Sequence, residues 1–172
     1  MGLWSKIKGW LNIGGVKVQI LETENPFPED DPVMKGRFSL TTKTDATILS
    51  TSVEFYAEET KGEGEEEKTE KTVFGSMSTE DYLINEDYPF ELKAGESKEL
   101  SFLIINVDVG GYVGRLAKKG GVLGAVGKVA KFAGKLDDGE ITYFVEVTAD
   151  VKGTPFDPTD KVEIKVVPGA SK

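Results

Sequence analysis

Leu92-Lys-Ala-Gly-Glu96, followed three residues later by Leu100-Ser-Phe-Leu-Ile-Ile-Asn-Val107, is a turn feeding a strongly apolar strand. So unbroken an apolar run reads as a central strand. Downstream, Glu140 to Lys152 alternates through Ile141, Tyr143, Val145, Val147 and Ala149, and Lys161 to Val167 alternates through Val162, Ile164 and Val166. Upstream, Val16, Val18 and Ile20 alternate with Lys17, Gln19 and Leu21, and further strands are expected at Val33 to Thr42 and Ile48 to Ala57. An acidic turn, Asn25-Pro-Phe-Pro-Glu-Asp-Asp-Pro32, and the turn residues Thr44-Asp45-Ala46 separate them. Thr72 to Met77 and Tyr82 to Asn85 read as short strands, and Glu58 to Glu70 as a solvated hairpin tip or a disordered loop. Many short strands with turn signals between them predict a mainly β chain, a two-sheet antiparallel β-sandwich.

At 172 residues the chain is most simply one domain, residues 1–172, with a core of useful size. It is 38% hydrophobic and 30% charged, and it contains neither cysteine nor histidine. Those two absences exclude disulfides, thiolate and imidazole metal sites, and the usual general base near neutral pH. No cofactor or metal ion is expected, nor is an enzyme. The remaining catalytic reading is a hydrolase using loop carboxylates: Glu29-Asp30-Asp31, Asp137-Asp138, or Asp157 with Asp160. No run of about eighteen apolar residues predicts a spanning helix. Lys6 occupies the position where N-myristoylation favours Ser or Thr, so cytoplasmic residence is expected.

Positive charge is concentrated in two amphipathic stretches, Met1 to Ile20 and Gly110 to Leu136. The first holds Lys6, Lys8 and Lys17, and the second Arg115, Lys118, Lys119, Lys128, Lys131 and Lys135, with no acid in either. They supply nine positive charges, so with a net charge of -9 for the whole chain the remainder sums to -18. Leu3, Trp4, Ile7, Trp10 and Leu11 fall on one face of a helix over residues 1–13 that Gly14 and Gly15 end. In the insertion, residues 110–136, Val122, Val126, Val129, Ala130, Ala133 and Leu136 occupy one helical face and Lys128, Lys131 and Lys135 the other. Its five glycines between Gly120 and Gly134 would cost about 5 kcal/mol relative to alanine. This helix therefore forms only where its apolar face is covered.

The order of these segments resembles the arrestin fold, and within it the bacterial sporulation-control proteins. The residues carrying the resemblance are Ile13-Gly-Gly-Val-Lys-Val18, Lys35-Gly-Arg-Phe-Ser-Leu40, Ile48 to Tyr56, Leu92-Lys-Ala-Gly-Glu96 with Leu100-Ser-Phe-Leu-Ile104, and Ile141 to Ala149. The resemblance implies a single arrestin-like sandwich domain acting as a non-enzymatic scaffold or adaptor for protein partners.

Three surfaces could cover the insertion: the sandwich itself together with the N-terminal helix, an anionic membrane, or another copy or partner. Candidate binding residues under the last two readings are Trp4, Lys6, Ile7, Lys8, Trp10, Leu11, Arg115, Lys118, Lys119, Val122, Val126, Lys128, Val129, Lys131, Phe132 and Lys135. Membrane association and homo-oligomerisation stay open. Nucleic acid is not expected, because the excess negative charge elsewhere repels phosphate and no nucleic-acid motif accompanies the lysines.

Overall fold

The computed structural model describes residues 15–61, 68–78, 87–110, 135–136 and 139–169. Eleven strands lie among them: β1 (Val16–Thr23), β2 (Phe27–Pro28), β3 (Val33–Thr42), β4 (Ala46–Lys61), β5 (Lys68–Ser78), β6 (Phe90–Leu92), β7 (Ser97–Ile105), β8 (Lys135–Leu136), β9 (Gly139–Val151), β10 (Thr159–Ile164) and β11 (Val166–Val167). They build a three-stranded sheet in the order β1-β3-β7 and a larger one in the order β10-β9-β4-β5, with β6 beside β4 and β8 beside β9.

The period-two pattern decides which residues face inward. Val16 and Val18 of β1, Met34, Phe38 and Leu40 of β3, and Phe102 and Ile104 of β7 are buried from one side. Val53, Phe55 and Ala57 of β4 and Tyr143, Val145, Val147 and Ala149 of β9 are buried from the other, and all belong to one hydrophobic cluster. An aromatic row runs through it, with ring centroids 5.1 Å apart for Phe27 and Phe55, 5.4 Å for Phe55 and Phe74, and 5.9 Å for Phe74 and Tyr143. Burying a side chain such as Phe55 contributes roughly 1.5–3 kcal/mol. One row of large rings therefore ties β2, β4, β5 and β9 together.

The Leu92 to Glu96 turn has a local cause. Gly95 sits at φ +85°, the left-handed region that the third position of a type II turn requires. The Lys93 N–H donates to the Glu96 side chain at 2.7 Å, and the Glu96 N–H to the Lys93 carbonyl at 2.9 Å. The Gly95 N–H reaches the Thr42 carbonyl at 2.9 Å, fixing the turn to the end of β3. β7 then runs back along β3.

Four expectations change. Among the described residues the run Leu100 to Val107 is not a central strand: β7 pairs with β3 and stands last in the order of its sheet. The misreading has a physical source. The run is apolar because Leu100, Phe102 and Ile104 fill the core while Leu103 and Ile105 lie on the outer face, and apolarity reports faces, not lateral neighbours. Pairing is not purely antiparallel, since β11 runs parallel to β2, which is hidden inside the acidic turn. The acidic hairpin is ordered strand as far as Lys61 and again from Lys68. Finally, Lys135 and Leu136, assigned to a helix on periodicity, form a short strand against Gly139 and Glu140.

Residues 1–13 and Tyr82 to Asn85 lie outside the described residues, as does the insertion apart from Gly110 and Lys135–Leu136. Among the described residues the only helical backbone is at Val109 and Gly110.

Candidate partner-binding surface

Of the sixteen candidate binding residues, fifteen lie outside the described residues: Trp4, Lys6, Ile7, Lys8, Trp10, Leu11, Arg115, Lys118, Lys119, Val122, Val126, Lys128, Val129, Lys131 and Phe132. Lys135 is placed in β8, opposite Glu140 of β9. The structure does fix where the two basic stretches join the sandwich. Gly15 lies at the end formed by Thr42, Lys43 and the Leu92 to Glu96 turn, where the Lys43 N–H reaches the Gly15 carbonyl at 3.0 Å. Gly110 lies at the other end, its N–H 3.1 Å from the Glu29 carbonyl, after Val107 has bonded to Pro32 at 2.9 Å. Ten residues of β3 separate these ends, about 30 Å at about 3.3 Å per residue. The charge clusters that look alike in sequence are thus anchored at opposite ends of the sandwich.

Two of the carboxylates considered for catalysis, Asp31 and Asp160, have structural bonds. Asp31 accepts the Val33 N–H at 2.9 Å, a local turn closure. Asp160 of β10 accepts the Ile20 N–H at 2.8 Å, reaching across to β1 in the other sheet. Asp45 accepts the Ala94 N–H at 2.9 Å, and that bond, followed by the Lys93 ammonium, holds its carboxyl below the usual range. Lys93 is correspondingly raised, first by its hydrogen bond to Glu91 and then by Asp45. Asp137 and Asp138 lie outside the described residues. Among the described residues no group of three or more acidic side chains is arranged to hold a metal ion, and no helix is long and apolar enough to cross a membrane.

The outer face of the large sheet is occupied by its own side chains. Tyr56 is 2% exposed, its ring 5.7 Å from Phe144 and its hydroxyl donating to Glu146 at 3.1 Å. The Lys71 ammonium lies 4.0 Å from the Tyr56 ring and pairs with Glu54 at 2.6 Å. The Lys161 ammonium lies 4.3 Å from the Phe144 ring and pairs with Glu58 at 3.3 Å. Two lysine stems thus cover two aromatic rings. Burial, then Glu146 and Glu58, push the Tyr56 hydroxyl far above the ordinary tyrosine range. On the small sheet, Arg37 bridges Glu22 at 2.9 Å and Glu99 at 3.4 Å across all three strands.

The edges differ more than the faces. β1 carries a bulge between Ile20 and Glu22, and Asp160 takes the Ile20 N–H. β5 breaks register beside Phe55 and Tyr56 and carries Lys68, Glu70 and Lys71. The short β10 carries Lys161 and Glu163 and follows Pro158. Bulges, charges and short length are the usual protections of an edge. β7 has no register shift: each of its nine residues pairs with β3. Sequence reasoning passed over this position, because the residues from Leu100 to Ile105 include no proline, glycine or charge and so carry none of the usual marks of an edge.

No protein-family model matches the sequence, and no curated protein matches it. Among solved structures, the crystal structure of Spo0M, the sporulation control protein of Bacillus subtilis, matches with a TM-score of 0.56 and 16% identity, covering 92% of this chain and 51% of that one. The chain therefore spans about half the length of that protein. What the two share is the fold: this chain resembles the arrestin-like sporulation-control proteins in architecture, as the Leu92 to Ile104 and Ile141 to Ala149 motifs implied.

Proposed function

We propose that the chain is a non-enzymatic, arrestin-like scaffold with a regulatory role, acting by contact with protein partners. The observation carrying this reading is the fold shared with a sporulation control protein over 92% of the chain. Two of the candidate catalytic carboxylates support it, because Asp31 and Asp160 each accept a backbone N–H. Fold alone does not specify a partner. The chemistry offered to one is an acidic sandwich with a basic, apolar-rich sequence attached at each end.

Cross-linking of the full chain in extract of its source organism tests the proposal. The expected result is a small set of proteins cross-linked saturably to the sandwich and competed by unlabelled chain. Substrate turnover that disappears in Asp137→Asn or Asp138→Asn, with folding intact, would overturn it. The second reading is peripheral binding to an anionic membrane, favoured by the lysines and tryptophans of the two stretches. With anchors about 30 Å apart, it requires both stretches to reach one plane. Salt-sensitive co-sedimentation with anionic but not zwitterionic vesicles at physiological ionic strength would select it over the protein scaffold.

A further inference from the structure

Phe156 is the most exposed large apolar side chain among the described residues, at 67%. Its loop holds it there. The Thr154 N–H and hydroxyl both meet the Val151 carbonyl, at 3.2 and 2.9 Å, and Gly153 at φ +81° closes that turn. Pro155 precedes the ring and the buried Pro158 follows it, its carbonyl accepting the Ala149 N–H at 3.0 Å. Prolines fix φ, so little backbone entropy remains to be lost when the ring is covered. Two lines of bonds bring this loop to the end of the sandwich where Gly15 lies. The Lys152 N–H meets the Thr47 carbonyl at 3.0 Å, and a Cβ on Gly15 would lie 2.8 Å from the Thr44 hydroxyl, three residues earlier in the same segment. From the side, Asp160 takes the Ile20 N–H, so β10 runs beside β1, and Phe156 and Val16 each lie four residues before that bond. Along the backbone Phe156 is at most about 30 Å from Gly15.

Residues 1–14 join the sandwich at Gly15. We propose that this segment docks its apolar side chains on the loop, with Phe156 seated among Trp4, Ile7, Trp10 and Leu11. Fourteen residues reach about 45 Å when extended, more than the gap requires. The tether favours this occupant over any free partner, because a segment joined at the same end has an effective concentration on the order of millimolar at the loop. Charge agrees. The segment carries Lys6 and Lys8 and no acid, and the exposed Asp157 stands next to the ring. An anionic membrane fits this end less well, since the exposed Lys43, Lys93 and Lys152 of its loops are matched by the exposed Asp45, Glu96 and Asp157. The insertion leaves from Gly110, at the opposite end. Docked in this way, the two tryptophans are withdrawn from membranes and partners alike, and the first basic stretch is a latch on its own domain.

Trp4 and Trp10 are the two tryptophans of the chain, so its tryptophan signal reports on this segment alone. Acrylamide quenching of the full chain, with a peptide of residues 1–14 as the undocked reference, reads the contact. In the wild-type chain the tryptophans should be protected relative to the peptide, and equally so as protein concentration is varied. Phe156→Ser removes the ring from a loop that belongs to no strand, and should lower the ratio of docked to free segment by about ten-fold or more, bringing quenching close to that of the peptide. Phe156→Leu keeps an apolar seat and should retain most of the protection. Ile105→Ser, at a 49% exposed site that pairs with Val33 near the opposite end, should change nothing. Wild-type tryptophans as accessible as those of the peptide overturn the proposal, as does protection indifferent to Phe156→Ser or lost equally in Ile105→Ser. Protection that grows with protein concentration assigns the loop to a second copy and overturns it too. None of these readings involves a protein partner, so the inference and the proposed function fail separately.

Discussion

Asp160→Ala should destabilise the protein by about 2 kcal/mol, and the number follows from one bond. Asp160 lies at the edge of the large sheet, and its carboxylate takes the Ile20 N–H at 2.8 Å beside the bulge in β1. Hydrogen bonds to charged groups contribute roughly 1.5–3 kcal/mol net, and a partly buried donor left without an acceptor costs about 1–3 kcal/mol. With a urea m-value of about 2 kcal/mol per molar, the midpoint should fall by about 1 M. In heat this corresponds to a fall in Tm of about 4–8 °C. Asp160→Asn keeps an oxygen within reach of the Ile20 N–H and should lose less than half as much. Urea denaturation followed by tryptophan-independent circular dichroism gives both midpoints. Equal losses for alanine and asparagine would refute the argument that the acceptor matters, and losses under about 0.3 kcal/mol for both would show that the bond contributes nothing.

Gly36→Ala should cost about 1–3 kcal/mol, because a Cβ there meets the Glu22 carbonyl and lies 2.5 Å from the Phe102 ring, and a paired backbone cannot yield. The same urea titration checks it. Asp45 is held below its usual pKa, so its contribution is complete above the unfolded value of about 3.9 and disappears as pH falls through the lower folded value. The midpoint difference between wild type and Asp45→Asn should therefore narrow from about pH 5 to about pH 2, and a constant difference would contradict the assignment. Tyr56 is displaced upward, so stability should decline once pH rises above about 10, where the unfolded tyrosine ionises and the folded one does not. Ultraviolet titration should show Tyr56 resisting ionisation until the chain unfolds, so the number of resistant tyrosines should fall by one in Tyr56→Phe.

Alternation made the strands legible. Val16, Val18, Ile141, Tyr143, Val145, Val147, Ala149, Ile164 and Val166 are buried as period two requires. The boundaries of β3, Val33–Thr42, could be read directly, since turn residues flank it on both sides. Lateral order was not legible, because a strand's composition records its two faces and says little about which strand lies beside it. Hence β7 looked central, and the parallel pair of β2 and β11 was hidden among prolines and acids. At its last two residues, Lys135 and Leu136, the helical pattern gave way to a tight hairpin with Gly139 and Glu140, one local pairing displacing another. The candidate site was legible as charge and less so as geometry. Lysine and tryptophan positions mark two stretches, but only the folded sandwich reveals that they are anchored at opposite ends. Asp31 and Asp160, potential catalytic acids by sequence, are turn and bulge acceptors once their backbone partners are seen.

Among the described residues β7 has one ladder partner, β3, and residue-resolved amide exchange of the full chain tests that placement directly. In dilute solution the amides of Lys98, Leu100, Phe102 and Ile104, which face β3, should exchange slowly, while those of Glu99 and Ser101 exchange fast. If those two amides are as protected as their even-numbered neighbours, β7 has a second lateral partner and the account of it as the last strand of its sheet is contradicted.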